Sequence, residues 1–326
     1  MKMFSLKPLI KPGITTFILM LVIYLGIWTV NILLLPEFNQ PDIAWRHNNW
    51  PQLIYLLMLM LLITLNSILI RRFVLHFSLI RTKSFLPVLI FLAFSVVWSG
   101  MRTDLFPHLF LTVFLVCIEL FLGMYRNRSA VEAAFLGSLL ISFTSLYHPL
   151  YLIVFPILWL GWSILKSLSL RSWLASLTGM AVPWIFYSAW SWHQGVEITF
   201  SPEFSQLSSP AISSAGIPRS LIIYSSVLIF LTIACLFGLF SKLLDDSIQT
   251  RKNIYILTIT LLFIFTFSTL YPPFSRLFFP LMAFLIAVLM AHPLTLRKSI
   301  IYPLIFLLFS AVNILYLIAQ HLQLYS

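Results

Sequence analysis

Long apolar runs, each about the length of a bilayer-crossing helix, alternate along this chain with short polar punctuation. In lipid an open segment satisfies its backbone polar groups only as a helix, so each run predicts a transmembrane helix. The runs fall at 14–35, 51–70, 84–99, 106–124, 131–147, 149–165, 173–192, 220–240, 253–271, 275–292 and 299–319, which makes eleven spans. The expected fold class is therefore all-α: a polytopic transmembrane helix bundle forming a single domain over 1–326. Several spans are short enough to be tilted, broken or re-entrant.

Composition removes the soluble alternatives. With 60% hydrophobic and only 9% charged residues, and a mean hydropathy of +1.00, too few polar residues exist to build a water-facing surface. Cys117 and Cys235 both fall inside apolar runs, as small buried hydrophobes rather than a disulfide or metal pair. Lys2, Lys7 and Lys11 precede the first run as in a signal peptide, but the run is too long and no small-residue cleavage site follows, so it reads as an uncleaved first span.

The net charge of +11 would suggest nucleic acid in a soluble protein; here the charges punctuate spans and are a topology signal. With the N-terminus in the cytoplasm, 16 of the 20 Lys and Arg fall in inner loops, and the C-terminus is periplasmic. The other four, Arg46, Arg102, Arg219 and Arg276, fall one to a loop on the outer side. This predicts a multi-pass protein of a bacterial inner membrane, with membrane lipids as partners and no nucleic acid. Trp45, Trp50, Trp98, Trp190 and Trp192 cluster at outer span ends, as interfacial aromatics do. The basic and apolar stretch 71–83, "RRFVLHFSLIRTK", reads as a cytoplasmic interfacial segment. Residues 193–219 form the longest periplasmic loop, a candidate lid.

The outer face gathers the candidate chemistry. Four outer loops each keep one Arg and none keeps a Lys, which favours planar, bidentate recognition of phosphate by Arg46, Arg102, Arg219 and Arg276. Glu37, Asp42 and Asp104 share that face and are the candidate general bases for an acceptor hydroxyl. His108 and His148 stand beside them as auxiliary residues, and His148, in a tight outer turn, is able to titrate near neutrality. A plainer alternative exists for the tip "SGMRTDLFPH", residues 99–108: Asp104 caps the next helix and Arg102 snorkels to lipid headgroups. Glu119 is the acidic residue inside a span, read as a protonated or interhelically bonded structural group. No residue cluster has metal-site spacing and no Gly-rich loop resembles a nucleotide cradle, so no cofactor and no metal is expected.

The segments "RTKSFLPVLIFLAFS", "MRTDLFPHLFLTVFLV" and "YRNRSAVEAAFLGSLLISFTSLYHPLYLIVFPILWLGWSILKSLSLRSWLASLTGMAVPWIFY" resemble an uncharacterised family of polytopic inner-membrane proteins from Bacteroidetes, a domain of unknown function. That resemblance implies a location and no chemistry. By architecture alone the chain is also similar to C-type membrane glycosyltransferases and O-antigen polymerases, which use an acidic residue in the first outer loop and Arg residues in outer loops. Here Glu37 and Asp42, and Arg102, Arg219 and Arg276, hold those places. The chain lacks the paired-acid motif and soluble outer domain of the first group and the large loops of the second.

Three readings follow. The first is periplasm-facing glycosyl transfer or polymerisation on a polyprenyl-phosphate-linked glycan. The second is a non-catalytic membrane subunit of an envelope-assembly or secretion complex, bound to a membrane-protein partner. The third is a lipid or solute transporter, which would place decisive polar residues near the bilayer midplane.

Overall fold

The computed structural model describes residues 52–127, 130–195, 219–296 and 301–321, together with Ile18, Val22, Tyr24, Gly26, Ile27 and Thr29, all six helical. Eleven α-helices follow: α1 (Gln52–His76), α2 (Leu86–Val97), α3 (Ser99–Thr103), α4 (Phe106–Gly123), α5 (Val131–Ser145), α6 (Phe155–Leu165), α7 (Leu170–His193), α8 (Arg219–Phe240), α9 (Ile248–Leu270), α10 (Phe279–Leu296) and α11 (Ile301–His321). Short 3₁₀ turns at Pro149–Val154, Leu243–Asp245 and Pro272–Phe278 link them, and no strand occurs among the described residues.

Six stretches are long and apolar enough to cross a membrane: Ile54–His76, Phe106–Gly123, Leu221–Phe240, Ile248–Leu270, Pro272–Thr295 and Ile301–Gln320. The protein is a multi-pass membrane protein. The span expected at 14–35 lies largely outside the described residues. The other predicted runs are helical but fall short: α2, α5 and the Pro149–Leu165 segment have fewer than 18 residues, and α7 is not among the six. The basic stretch 71–83 divides, its first half extending α1 to His76 and its second half forming the turn before α2. In that turn Leu79 and Ile80 are buried while Arg81 and Lys83 are exposed.

The described residues fall into two compact units. Unit 1 draws on 1–108, 213–254 and 276–326, and unit 2 on 109–212 and 255–275. In unit 1, α10 is the central element, packed against α2, α8 and α11. Its residues 280–294 are buried without interruption, which is why it shows no polar stripe and reads as apolar on every side. Helix α11, by contrast, turns Ile301, Leu304, Leu307, Ile314, Leu315 and Ile318 outward, the surface a lipid-facing helix needs.

Unit 2 is organised by the α5 and α7 pair. Small residues let the two backbones approach: a Cβ built on Gly179 would stand 2.5 Å from the Phe135 carbonyl oxygen, which belongs to a helix and has no room to retreat. Beside it the Ser142 hydroxyl donates to the Met180 carbonyl at 2.6 Å. Indole N–H groups close the same packing, Trp184 donating to Ser145 and Trp159 to Ser176, each at 3.0 Å. Such interhelical bonds replace the hydrophobic drive that lipid removes.

Candidate functional site

The polar island 99–108 is a doubly broken helix. Helix α2 stops at Trp98, whose backbone is extended (φ −84°, ψ 117°), α3 restarts for five residues, and Asp104 breaks it again (φ −115°, ψ 123°) before α4 begins. Each break leaves carbonyls without helical partners, and nearby side chains supply donors. Arg102 Nη1 donates to the Val96 carbonyl at 3.0 Å, and Gln320 Nε2, from the end of α11, donates to the Val97 carbonyl at 3.2 Å. Arg102 Nη2 donates to Gln320 Oε1 at 3.3 Å, joining the two donors. A cation at a helix C-terminus is also favoured by the helix dipole.

Arg102 is 2% exposed. It does not snorkel to headgroups; its side chain turns inward, where it donates to the Val96 carbonyl. His108 is likewise fully buried. Its Nε2 lies 2.8 Å from the Met101 carbonyl and so donates to it, while Asn66 Nδ2 donates to the His108 carbonyl at 3.0 Å. With the Tyr55 hydroxyl accepting from Leu105 N at 3.0 Å, α1 fastens the start of α4. Arg102 and His108 therefore hold the chain in place.

Asp104 and Arg276 are differently disposed. Asp104 is half-buried between α3 and α4, and Arg276 is exposed in the 3₁₀ turn that leads into α10. Burial raises the Asp104 carboxyl above the ordinary range, and the positive charge of Arg276 opposes that shift without cancelling it. Gly100 makes the approach feasible: a Cβ there would meet the Phe279 ring at 2.8 Å and the Arg276 stem at 3.4 Å.

A second set of groups at this end comes from residues inside apolar runs. Trp98 Nε1 donates to the Tyr224 hydroxyl, which donates in turn to Asn313 Oδ1, both at 3.0 Å. Tyr224 also stacks on Tyr316 with ring centroids 4.2 Å apart. Sequence reasoning passed over Tyr224, Asn313 and Gln320, although an Asn within an apolar run is itself a signal of interhelical bonding. Tyr24 belongs here too, its hydroxyl 2.7 Å from Ser95 Oγ and within reach of the Arg102 charge.

Next to this network an apolar groove of about 380 Å³ runs along α2 and α11, lined among others by Tyr24, Leu92, Val96, Phe309, Asn313 and Leu317. Val96 and Val97 are among its lining residues, and theirs are the carbonyls that Arg102 and Gln320 bind.

Glu37, Asp42 and Arg46 lie outside the described residues. Arg219 is the first residue of α8. His148 belongs to unit 2, where it precedes the turn Pro149–Val154 with its ring near Tyr151 and Phe274. Among the described residues no group of three or more His, Cys, Asp or Glu is placed to hold a metal ion. No family model, curated protein or solved structure matches the chain.

Proposed function

We propose that the protein handles a polyprenyl-phosphate-linked glycan at the outer membrane face, with glycosyl transfer or polymerisation as its reaction. The observation that carries this reading is the apolar groove along α2 and α11, whose lining includes Val96 and Val97 just before the segment bearing Arg102 and Asp104, a segment whose Gly100 packs against the Arg276 stem. A lipid-linked sugar needs that sequence of environments: a hydrocarbon trough, then a cation for the phosphate, then a carboxyl for the acceptor hydroxyl.

The roles divide by burial. Arg276, exposed, meets the phosphate as a planar guanidinium. Asp104, with its affinity for a proton raised, accepts the proton of the acceptor hydroxyl more readily than an ordinary surface carboxylate would. Arg102 positions the segment rather than touching substrate. Arg46, Arg219, Glu37 and Asp42 remain proposed contributors from the other outer loops.

Native mass spectrometry of the protein in mild detergent tests the reading, comparing wild type with Arg276→Ala. A polyprenyl-phosphate species retained by wild type and depleted at least about tenfold in the variant is expected, the loss of one charge-assisted contact. Bulk phospholipid alone in both samples overturns it; a protein partner retained alongside would point instead to the non-catalytic subunit of an assembly complex.

A further inference from the structure

Away from that site, unit 1 carries a buried ionisable cluster at its opposite end. Asp246 follows the 3₁₀ turn Leu243–Asp245 after α8, and its side chain is 4% exposed. Arg81, from the turn between α1 and α2, donates through Nε to Asp246 Oδ1 at 2.5 Å. His292, near the C-terminal end of α10, is 1% exposed. Its Nδ1 lies 2.6 Å from the Leu79 carbonyl and its Nε2 lies 3.4 Å from Asp246 Oδ2.

The chemistry of these contacts fixes the protons. A carbonyl only accepts, so His292 Nδ1 must carry a hydrogen and donate it to Leu79. In a neutral imidazole Nε2 is then a bare lone pair, and it faces a carboxylate oxygen that also only accepts. Both atoms are buried, and neither Asp246 Oδ2 nor His292 Nε2 has a hydrogen-bond partner. Two orphaned acceptors turned toward each other in a low-dielectric interior are costly, and the smallest group that satisfies both is a proton.

We infer that Asp246 and His292 form a proton-binding site, in which one proton between Oδ2 and Nε2 ties the segment after α8 to α10. The proton comes from bulk water and returns to it, and no heavy-atom bond changes. Arg81 compensates the carboxylate, so uptake moves the cluster from net zero to +1.

The charged groups whose field reaches His292 are Asp246 and Arg81. Neighbouring charges are engaged elsewhere: Lys242 and Asp245 pair with each other at 3.9 Å on the surface. From α1, Arg71 lies over the Phe85 ring at 4.1 Å and His76 packs edge-on against Phe77. Helix α2, packed against α10, contributes no charged residue.

The test is nitrogen-15 NMR of the full chain, labelled at its 7 histidines and held in nanodiscs, titrated from pH 8 to pH 4.5. His292 is assigned as the signal missing from His292→Gln. The expected result is a neutral ring with hydrogen on Nδ1 at pH 8 and a doubly protonated ring at the acidic end. In Asp246→Asn the midpoint should fall by at least about one pH unit, because a nearby carboxylate favours imidazolium by that order. Hydrogen on Nε2 at pH 8, no titration of wild-type His292 in the window, or an unchanged midpoint in Asp246→Asn each overturns the proposal. The two wild-type readings stand even if the Asp246 variant fails to fold.

Discussion

The two ends of unit 1 use the same kinds of side chain to opposite effect. At the α2–α3 break, Arg102, Gln320, Trp98, Tyr224 and Asn313 form a set of donors paired with acceptors, and the polar groups act as mortar between helices. At the other end, Arg81, Asp246 and His292 include two acceptors that face each other without a hydrogen-bond partner. A satisfied buried network fixes geometry, whereas an incomplete one is a place where a small ligand or a proton changes the energy. Burial of a charge therefore does not by itself mark function; the state of its hydrogen bonds does.

Arg102→Ala should separate the two ends most sharply. It removes a donor from the Val96 carbonyl and from Gln320 Oε1, a loss of about 2–4 kcal/mol. Thermal unfolding in detergent followed by tryptophan fluorescence reads this as a fall of several degrees; an unchanged transition would mean the network is ornamental. Next in size, Gly100→Ala forces the Phe279 ring aside, and a destabilisation of about 1–2 kcal/mol is expected in the same assay.

Arg276→Ala should barely move that transition, by less than about 0.5 kcal/mol, because the residue is exposed. A drop as large as that of Arg102→Ala would erase the distinction between the positioning arginine and the ligand-facing one. The smallest effect belongs to Asp104. Its carboxyl binds a proton more tightly in the folded protein than in the unfolded chain, so its contribution to stability is present below the unfolded value near 4 and is lost as pH rises through the folded value. Asp104→Asn should flatten that decline in a pH series of unfolding temperatures; the same slope in both proteins would refute the assignment.

Helical organisation was legible from the apolar runs because membrane burial acts on one segment at a time. Each predicted run from residue 51 onward has a helical counterpart, and the six clear spans are those where length and apolarity coincide. In unit 1 Arg81 meets Asp246 and Lys242 meets Asp245, while the charge of Arg276 reaches Asp104. What the runs did not disclose was burial at the tips. Arg102 looked like a headgroup contact because its partner, Gln320, lies 218 positions away and no local pattern announces it. Asp246 and His292 were likewise separate loop-end residues until α8 and α10 brought them together. Long-range pairing of single polar residues leaves no periodicity to read.

Helix α2 has 12 residues, so it measures about 18 Å along its axis, against a hydrocarbon core of about 30 Å. A helix that short does not by itself cross the core, so part of the break at Trp98 can fall at hydrocarbon depth. Irregular backbone is tolerated there only when enclosed by protein, and the inward-turned guanidinium supplies that enclosure with its missing donor. A break at that depth would let a long-chain lipid in the groove meet polar groups without leaving the oily layer.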